Sequence, residues 1–389
     1  MRLACRRFHN FAELPAAYDA LRARLAQAGL FGEPAWFELL MTLGFDPSDR
    51  MFVFAVEAAD GRPLLLAPLR FGRHDGAARG ALVLASVSHT ENFAPAAIAL
   101  DPSLDEAQSA TVIAALLRGL RNGDPALTEA PVDLVRLWPM AESSPYARLL
   151  ERAVREAGFI AQVYANSYNR FEDVAGLSHA QYFAQRSANL RYSVRRRRRA
   201  LERDGGLRLE LVRGGDALEP AIADYVMVSL KSWKRPSTTV ADEIIGMMRL
   251  ASSRGALRLG LLRLHGVPVA VQFWLVNAGV AHCVRLSYDE SYKKAAAGIV
   301  LTDFMIEQVL DGDRVARLDF GYGREGYKAS WMRQGQVHAG VLGFSPRSWR
   351  GRWEALRHIG GQPAKRFAKA LLLRLGLRKP DGEDEGRED

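Results

Sequence analysis

Apolar positions along this chain switch repeatedly between strand-like alternation or short runs and helical spacing, and turn residues stand at the switches. In the first half the pattern predicts helices over 15–29 and 34–43, then strands over 51–58 and 63–71 folded back on each other at Asp60-Gly61. A strand over 81–87, a helix over 104–120, a strand over 132–137 and a helix over 146–157 follow, and residues 159–168 begin the crossover to the second half. That half runs through a similar series. Strands are predicted at 207–212, 256–264, 267–276, 280–288 and 315–320, with helices over 218–233, 242–253 and 298–310. The uncharged run 265–284 holds Gln272, Asn277 and His282 and a turn at Asn277-Ala278-Gly279, so it reads as paired strands and not as a membrane span. The class predicted is mixed α/β, two halves each built on a mixed twisted sheet flanked by helices.

A basic stretch joins the halves, with Arg195, Arg196, Arg197, Arg198 and Arg199 in succession. At about 100° per residue, Phe183, Leu190, Val194 and Leu201 fall in one narrow arc, and Arg197 falls on that same arc. The other arginines can point to water. Arg197 must either pair with a buried carboxylate or reach a bound phosphate. The expected organisation is a first half over 1–170, the basic linking helix over 171–205, a second half over 206–345, and a basic amphipathic tail with an acidic disordered end over 346–389.

Residues 318–331 concentrate polar chemistry after a strand end. Gly321 and Gly323 let the backbone turn sharply, after which Glu325, Tyr327, Lys328 and Trp331 can all face one cleft. A surface turn with solvated charges is the plainer alternative.

Composition narrows the classes. With 389 residues and 48% hydrophobic content the chain can bury two cores of ordinary size, so disorder is excluded. Cys5 and Cys283 stand far apart with no metal-ligand spacing, which argues against a disulfide framework and a zinc site and favours a reducing compartment. No apolar segment follows the basic start at Arg2, Arg6 and Arg7, so a secretory signal is not expected and a cytoplasmic location is. A net charge of +9 implies an anionic partner without saying which.

The order of paired strands, a further strand, and a helix whose N-terminus receives the ligand resembles the GNAT acyltransferases. Asp319-Phe320-Gly321-Tyr322-Gly323-Arg324-Glu325-Gly326-Tyr327-Lys328 resembles the signature of their CelD/BcsL-like branch, found in bacterial exopolysaccharide and envelope contexts. The basic helix, the Lys231-Ser232-Trp233-Lys234 element and the segment 31–40 with Pro34 and Trp36 resemble further parts of that branch, extending the likeness to about residue 344. A more distant similarity is to the Fem-type aminoacyl transferases. One departure concerns the diphosphate loop: Tyr292-Lys293-Lys294-Ala295-Ala296-Ala297-Gly298 keeps one glycine of the usual several.

The resemblance implies an N-acyltransferase that uses acyl-CoA, acetyl or longer, as co-substrate with no tightly bound cofactor and no metal. The acceptor would be an amine or hydroxyl of an envelope-destined sugar or lipid. Small residues up to Ala297 and Gly298 would let backbone N–H groups meet phosphate oxygens at a helix start, with Lys293 and Lys294 adding charge and Tyr288 nearby. Asp319, Glu325 and His282 are candidate bases, and Tyr288 and Tyr327 candidate proton donors to the departing thiolate. Each has a structural alternative: Asp319 can hold the strand end or pair with Arg197, His282 can be a core histidine, and Trp233 and Trp331 can be core or cleft wall. Arg197, Lys231, Trp233, Lys328 and Trp331 are the candidate substrate contacts. A Fem-like enzyme would take aminoacyl-tRNA, gripped by the arginine helix, and a non-catalytic assembly module is the third alternative.

Beyond Pro346, Trp349, Trp353, Leu356 and Ile359 recur at helical spacing among Arg350, Arg352 and Arg357, and a leucine-rich basic stretch occupies 367–377. Such a segment can lie on an anionic membrane surface or dock on its own domain.

Overall fold

The computed structural model describes residues 2–73, 77–88, 98–203, 205–232, 238–323 and 325–360. The first half comprises β1 (Leu3–Phe8), α1 (Asp19–Ala26), α2 (Pro34–Leu43), β2 (Arg50–Ala58), β3 (Pro63–Gly72), β4 (Val83–Ser86), β5 (Ala99–Leu100), α3 (Glu106–Asn122), β6 (Leu134–Ala141), α4 (Pro145–Glu156) and β7 (Ile160–Asp173). The linking segment supplies α5 (His179–Ala184) and the arginine-rich α6 (Ala188–Arg203). Then follow β8 (Leu207–Val212), α7 (Leu218–Leu230), α8 (Thr238–Ser253), β9 (Leu257–Leu264), β10 (Val267–Asn277), β11 (Val280–Tyr288), α9 (Ala297–Glu307), β12 (Arg317–Tyr322), α10 (Gly326–Trp331), β13 (Gln334–Phe344) and α11 (Trp349–Ala355).

Local chemistry sets many of these limits. Helix α3 opens on a capping box between Asp105 and Gln108 and closes at Gly123 in the left-handed region, φ 74°. The β9–β10 connection has positive φ at His265 and Gly266, and the β10–β11 connection at Ala278 and Gly279, the twist that two-residue hairpins need.

The expected mixed α/β architecture is present, and the two halves share one sheet in the order β1-β2-β3-β4-β6-β13-β7-β12-β11-β10-β9-β8, with β5 on β3. Each half contains one parallel pair enclosing a helix: β4 with β6 around α3, and β11 with β12 around α9. The join is made by an exchange. Strand β13, last in sequence, lies between β6 and β7, while β7 pairs with β12 of the second half.

Strands β1 and β13 are absent from the periodicity-based reading. In β13 the reason is its glycines: a β-carbon at Gly335 would lie 2.3 Å from the Tyr168 hydroxyl, at Gly340 2.6 Å from the Tyr164 ring, and at Gly343 2.7 Å from Val154. Those positions must stay bare for the neighbouring side chains to lie across the strand, so the strand carries a weak apolar signal.

Helices cover both faces. On one, α1, α2, α7 and α8 pack on β2, β3, β9 and β10 around Trp36, Phe37, Met247 and Phe273, and α11 packs separately over Phe344 and Leu342. On the other, α3 and α4 cover the first half and α6 and α9 the second. Phe183, Leu190, Val194 and Leu201 form the buried stripe of the basic segment.

Candidate active site

Strands β11 and β12 stay in parallel register only for Val280↔Arg317, Ala281↔Leu318 and His282↔Asp319. Beyond these pairs β11 remains bonded to β10 as far as Tyr288, while β12 stays paired with β7 from Arg317↔Asp173 to Tyr322↔Asn169, with a bulge between Asp319 and Tyr322. The strands therefore part, and inner-edge backbone groups face the opening. Helix α9 begins at the open end, because the chain leaving β11 must return along the sheet.

The connection is held from several sides. Asp289 accepts from Ser291 N at 2.9 Å and from its hydroxyl at 2.5 Å, with Lys231 Nζ 3.2 Å away. Burial raises the pKa of this carboxyl, but those hydrogen bonds and Lys231 outweigh it and hold it below the usual range. Ala296 takes a left-handed conformation (φ 50°), and no side chain caps α9. The Ile299 N–H donates to the Ala296 carbonyl at 3.2 Å, which leaves the N–H groups of Ala297 and Gly298 at the start of the helix without a side-chain cap. The Gly298 carbonyl accepts from Thr302 Oγ1 at 2.8 Å and Gln272 Nε2 at 3.3 Å, and Gln272 Oε1 accepts from Trp274 Nε1 at 2.8 Å. A β-carbon at Gly298 would meet Leu286 and Tyr288 only at 3.9 Å, so no clash demands glycine there. Lys293 and Lys294 are exposed, and Ala297 is buried.

Arg197 belongs to this loop. Its Nη1 donates to the Lys294 carbonyl at 3.3 Å and its Nε to Ser193 Oγ at 3.3 Å. A pair with Asp319 does not form. The helical arc that carries Arg197 leads to the turn before α9, whereas Asp319 lies at the point where the strands separate.

At that point Asp319 is buried, with Oδ1 accepting from Gly321 N at 2.7 Å and Oδ2 from Asn169 Nδ2 at 2.9 Å. Burial lowers the pKa of His282 and of His338, in each case against the opposing pull of Asp319. Both imidazoles are thus neutral at physiological pH beside one carboxylate. His282 packs edge-on to Phe31, centroids 5.3 Å apart, and His338 edge-on to Tyr322 at 5.5 Å. Burial pushes the Cys283 thiol up to about 12, so it is no thiolate nucleophile.

The segment after β12 folds back over this point. Gly321 and Gly323 take φ of 66° and 129°. A β-carbon at Gly323 would lie 1.8 Å from Glu325 Oε2, so the Glu325 carboxylate can cover the turn only above glycine. Lys328 is buried, donates to the Tyr322 carbonyl and lies 3.3 Å from Glu325 Oε2. Burial, with Cys283 and Glu325 adjacent, raises the Tyr327 phenol well above its ordinary range although much of the residue is exposed. Trp331 does not face the cleft: it is buried in the core with Val194 and Phe320. Its carbonyl accepts from Tyr182 Oη at 2.6 Å and Arg186 Nη1 at 2.5 Å. Trp233 lies outside the described residues.

Asn169, His338 and Tyr322 are the residues at this site that sequence reasoning did not single out. A row of polar side chains runs from them along the shared sheet. Pleating places Gln336, His338, Gly340, Leu342 and Phe344 of β13 on one face, beside Asn169, Ser167, Tyr164 and Gln162 of β7. Side-chain oxygens of Gln162, Ser167 and Asn169 and Nδ1 of His338 are buried there with no protein partner among the described residues. No group of metal-ligating side chains occurs, and no helix is long and apolar enough to cross a membrane, again among the described residues.

Residues 188–329 match the family described as an acetyltransferase (GNAT) domain. A search of curated protein sequences finds no match. Among solved structures, FemX superposes with a TM-score of 0.55 at 9% identity, covering 87% of this chain and 97% of that one. A tandem GNAT protein from the clavulanic acid biosynthesis pathway gives 0.47 at 13% identity, covering 89% and 100%, and L-PGS from Bacillus licheniformis 0.46 at 12%, covering 86% and 93%. The sequence match runs from α6 through the parted strands into α10. Over that span the chain is similar to a GNAT acetyltransferase domain.

Proposed function

We propose that this chain is an acyl-CoA-dependent N- or O-acyltransferase of the CelD/BcsL-like kind, acting on an amine or hydroxyl of an envelope-destined sugar or lipid. The reading rests above all on the parted β11–β12 pair, which has an uncapped helix start at its open end and a buried carboxylate between two neutral imidazoles where it closes. The donor's diphosphate would lie against the N–H groups of Ala297 and Gly298, with Lys293, Lys294 and Arg197 alongside. Backbone N–H groups on the inner edge of β11 would receive the thioester oxygen. The acceptor would approach along this row of polar side chains. As its nitrogen or oxygen bonds to the carbonyl carbon, its proton passes to His338 or His282, and Asp319 steadies the imidazolium. The carbon–sulfur bond then breaks, Tyr327, held protonated by burial, donates a hydrogen bond to the thiolate, and the imidazolium gives up its proton so that the thiol leaves neutral.

Thiol release from acetyl- and long-chain acyl-CoA in the presence of amino-sugar and aminolipid acceptors tests this. Asp319→Asn should lower kcat about 10²–10⁴-fold while CoA binding is retained. Unchanged turnover in Asp319→Asn and in a His282→Gln, His338→Gln double variant would overturn it.

One observation favours a second reading. Arg191, Arg195, Arg196, Arg199 and Arg203 share one side of α6, and the resemblance to the Fem-type aminoacyl transferases implies a donor carried on RNA. Ribonuclease-sensitive activity with steep salt dependence would favour it.

A further inference from the structure

The outward face of α11 has the opposite character to an ordinary surface helix. At about 100° per residue, Gly351, Glu354 and Ala355 point one way and Trp349, Trp353 and Leu356 the other. The first three are buried, while Trp349, Trp353, Leu356 and the adjoining Ile359 are 61%, 55%, 64% and 40% exposed. The packed side is therefore small and polar, and the solvent side carries two indoles and two aliphatic chains.

The presentation is rigid. Ser348 caps the helix by accepting from Gly351 N at 2.9 Å, and the buried Glu354 accepts from Ala78 N at 2.7 Å. A β-carbon at Gly351 would lie 2.2 Å from the Ser345 carbonyl oxygen, so the helix backbone sits directly on the chain below. Arginines border the apolar stripe. Arg352 stands on one side, and Arg350 and Arg357 on the other. The Arg350 guanidinium lies 5.0 Å from the centre of the Trp349 ring, and Arg357 is tied to Glu354 at 2.7 Å.

We propose that this face of α11 docks on an anionic lipid bilayer surface. Indole rings suit the headgroup level, where an apolar body and a polar N–H are both accommodated, and the aliphatic chains enter the acyl boundary. The flanking guanidiniums meet lipid phosphates, so the charge pattern selects an anionic surface over a neutral one. A protein groove would not need arginines on both borders. The helix packs over Phe344 and Leu342, and Tyr164 of the polar row on β7 packs against that same cluster. Docking would thus bring that polar row to the bilayer, where a lipid-borne acceptor is within reach. That last step rests on the acyltransfer reading, whereas the docking itself does not.

Flotation of the full chain with vesicles of phosphatidylcholine, with and without about one-third phosphatidylglycerol, tests this. Wild type should float with the anionic vesicles and stay behind with the neutral ones. A Trp349→Ser, Trp353→Ser, Leu356→Ser variant, altered only at exposed positions, should lose binding at least tenfold with an unchanged melting temperature. It should also keep its activity on a soluble acceptor. No flotation of wild type, or equal flotation of the variant, overturns the proposal, the second outcome pointing to residues 361–389 as the binder. A concentration-dependent dimer that the same variant abolishes would also overturn it, by assigning the face to a second copy.

Discussion

Strand β12 is held in place by a buried ion cluster, and removing its carboxylate should be costly. Glu172 on β7 is in register with Leu318, one residue before Asp319. Its side chain is 2% exposed and that of its partner Arg186 1% exposed, at 2.8 Å. Arg333 adds a second guanidinium at 2.5 Å, itself 57% exposed. Glu172→Gln keeps the shape and removes the charge, leaving Arg186 in a dry site with the Trp331 carbonyl, the Tyr182 ring and a neutral amide but no carboxylate. Uncompensated burial of this kind costs about 3–5 kcal/mol. At about 2 °C per kcal/mol for a large domain, the melting temperature should fall by roughly 6–10 °C. Arg333→Ala, at a half-exposed position, should cost about 1 kcal/mol or less. Burial raises the Glu172 pKa, but the hydrogen bonds from Arg186 and Arg333 outweigh it and lower it overall. The stabilisation is therefore present above the ordinary carboxylate range and disappears as pH falls through the folded value, so wild type and Glu172→Gln should converge in acid. Thermal melts by circular dichroism across pH measure all of this. A Glu172→Gln protein melting within about 2 °C of wild type at pH 7, or an equal loss in Arg333→Ala, would refute the reasoning.

Gly323→Ala combines a left-handed φ with a collision at Glu325. It should cost about 1–3 kcal/mol and displace that carboxylate, read as a stability loss together with a larger fall in turnover than Gly326→Ala produces. The pH–rate profile reports the two imidazoles: burial keeps His282 and His338 neutral to below the ordinary histidine range, so kcat/KM should reach its plateau below about pH 6.5. A rising limb centred above pH 7 would assign the base elsewhere. His179 lies 2.9 Å from Asp303; burial pulls its pKa down, but Asp303, Glu307 and Asp311 outweigh that and raise it. His179→Gln should therefore destabilise by about 1–2 kcal/mol near pH 6 and progressively less as pH rises through the folded value, measured by urea unfolding.

Much of the site's first layer could be read along the chain because it is local. The Gly321 and Gly323 turn, Glu325 and Lys328 within one short segment, and the small residues before α9 owe their geometry to neighbours in sequence. The buried stripe through Leu190, Val194 and Leu201 was equally legible, since a helix fixes which residues share a face. His338 and Asn169 were not, and for Trp331 the choice between core and cleft wall stayed open. Asn169 meets Asp319 across a sequence separation of 150, and His338 arrives on a strand whose glycines erase its periodic signal.

By itself, the order of amino acids determined most element types, the hairpin turns and the excess of arginine on α6, all set by interactions spanning a few residues. The tertiary structure alone decided that β13 would separate β6 from β7, that Arg197 would reach the turn before α9 and not Asp319, and that two imidazoles from different strands would flank one carboxylate. Those outcomes depend on strand pairing between distant segments. Such pairing is governed by how whole faces bury against one another, a quantity no local window contains.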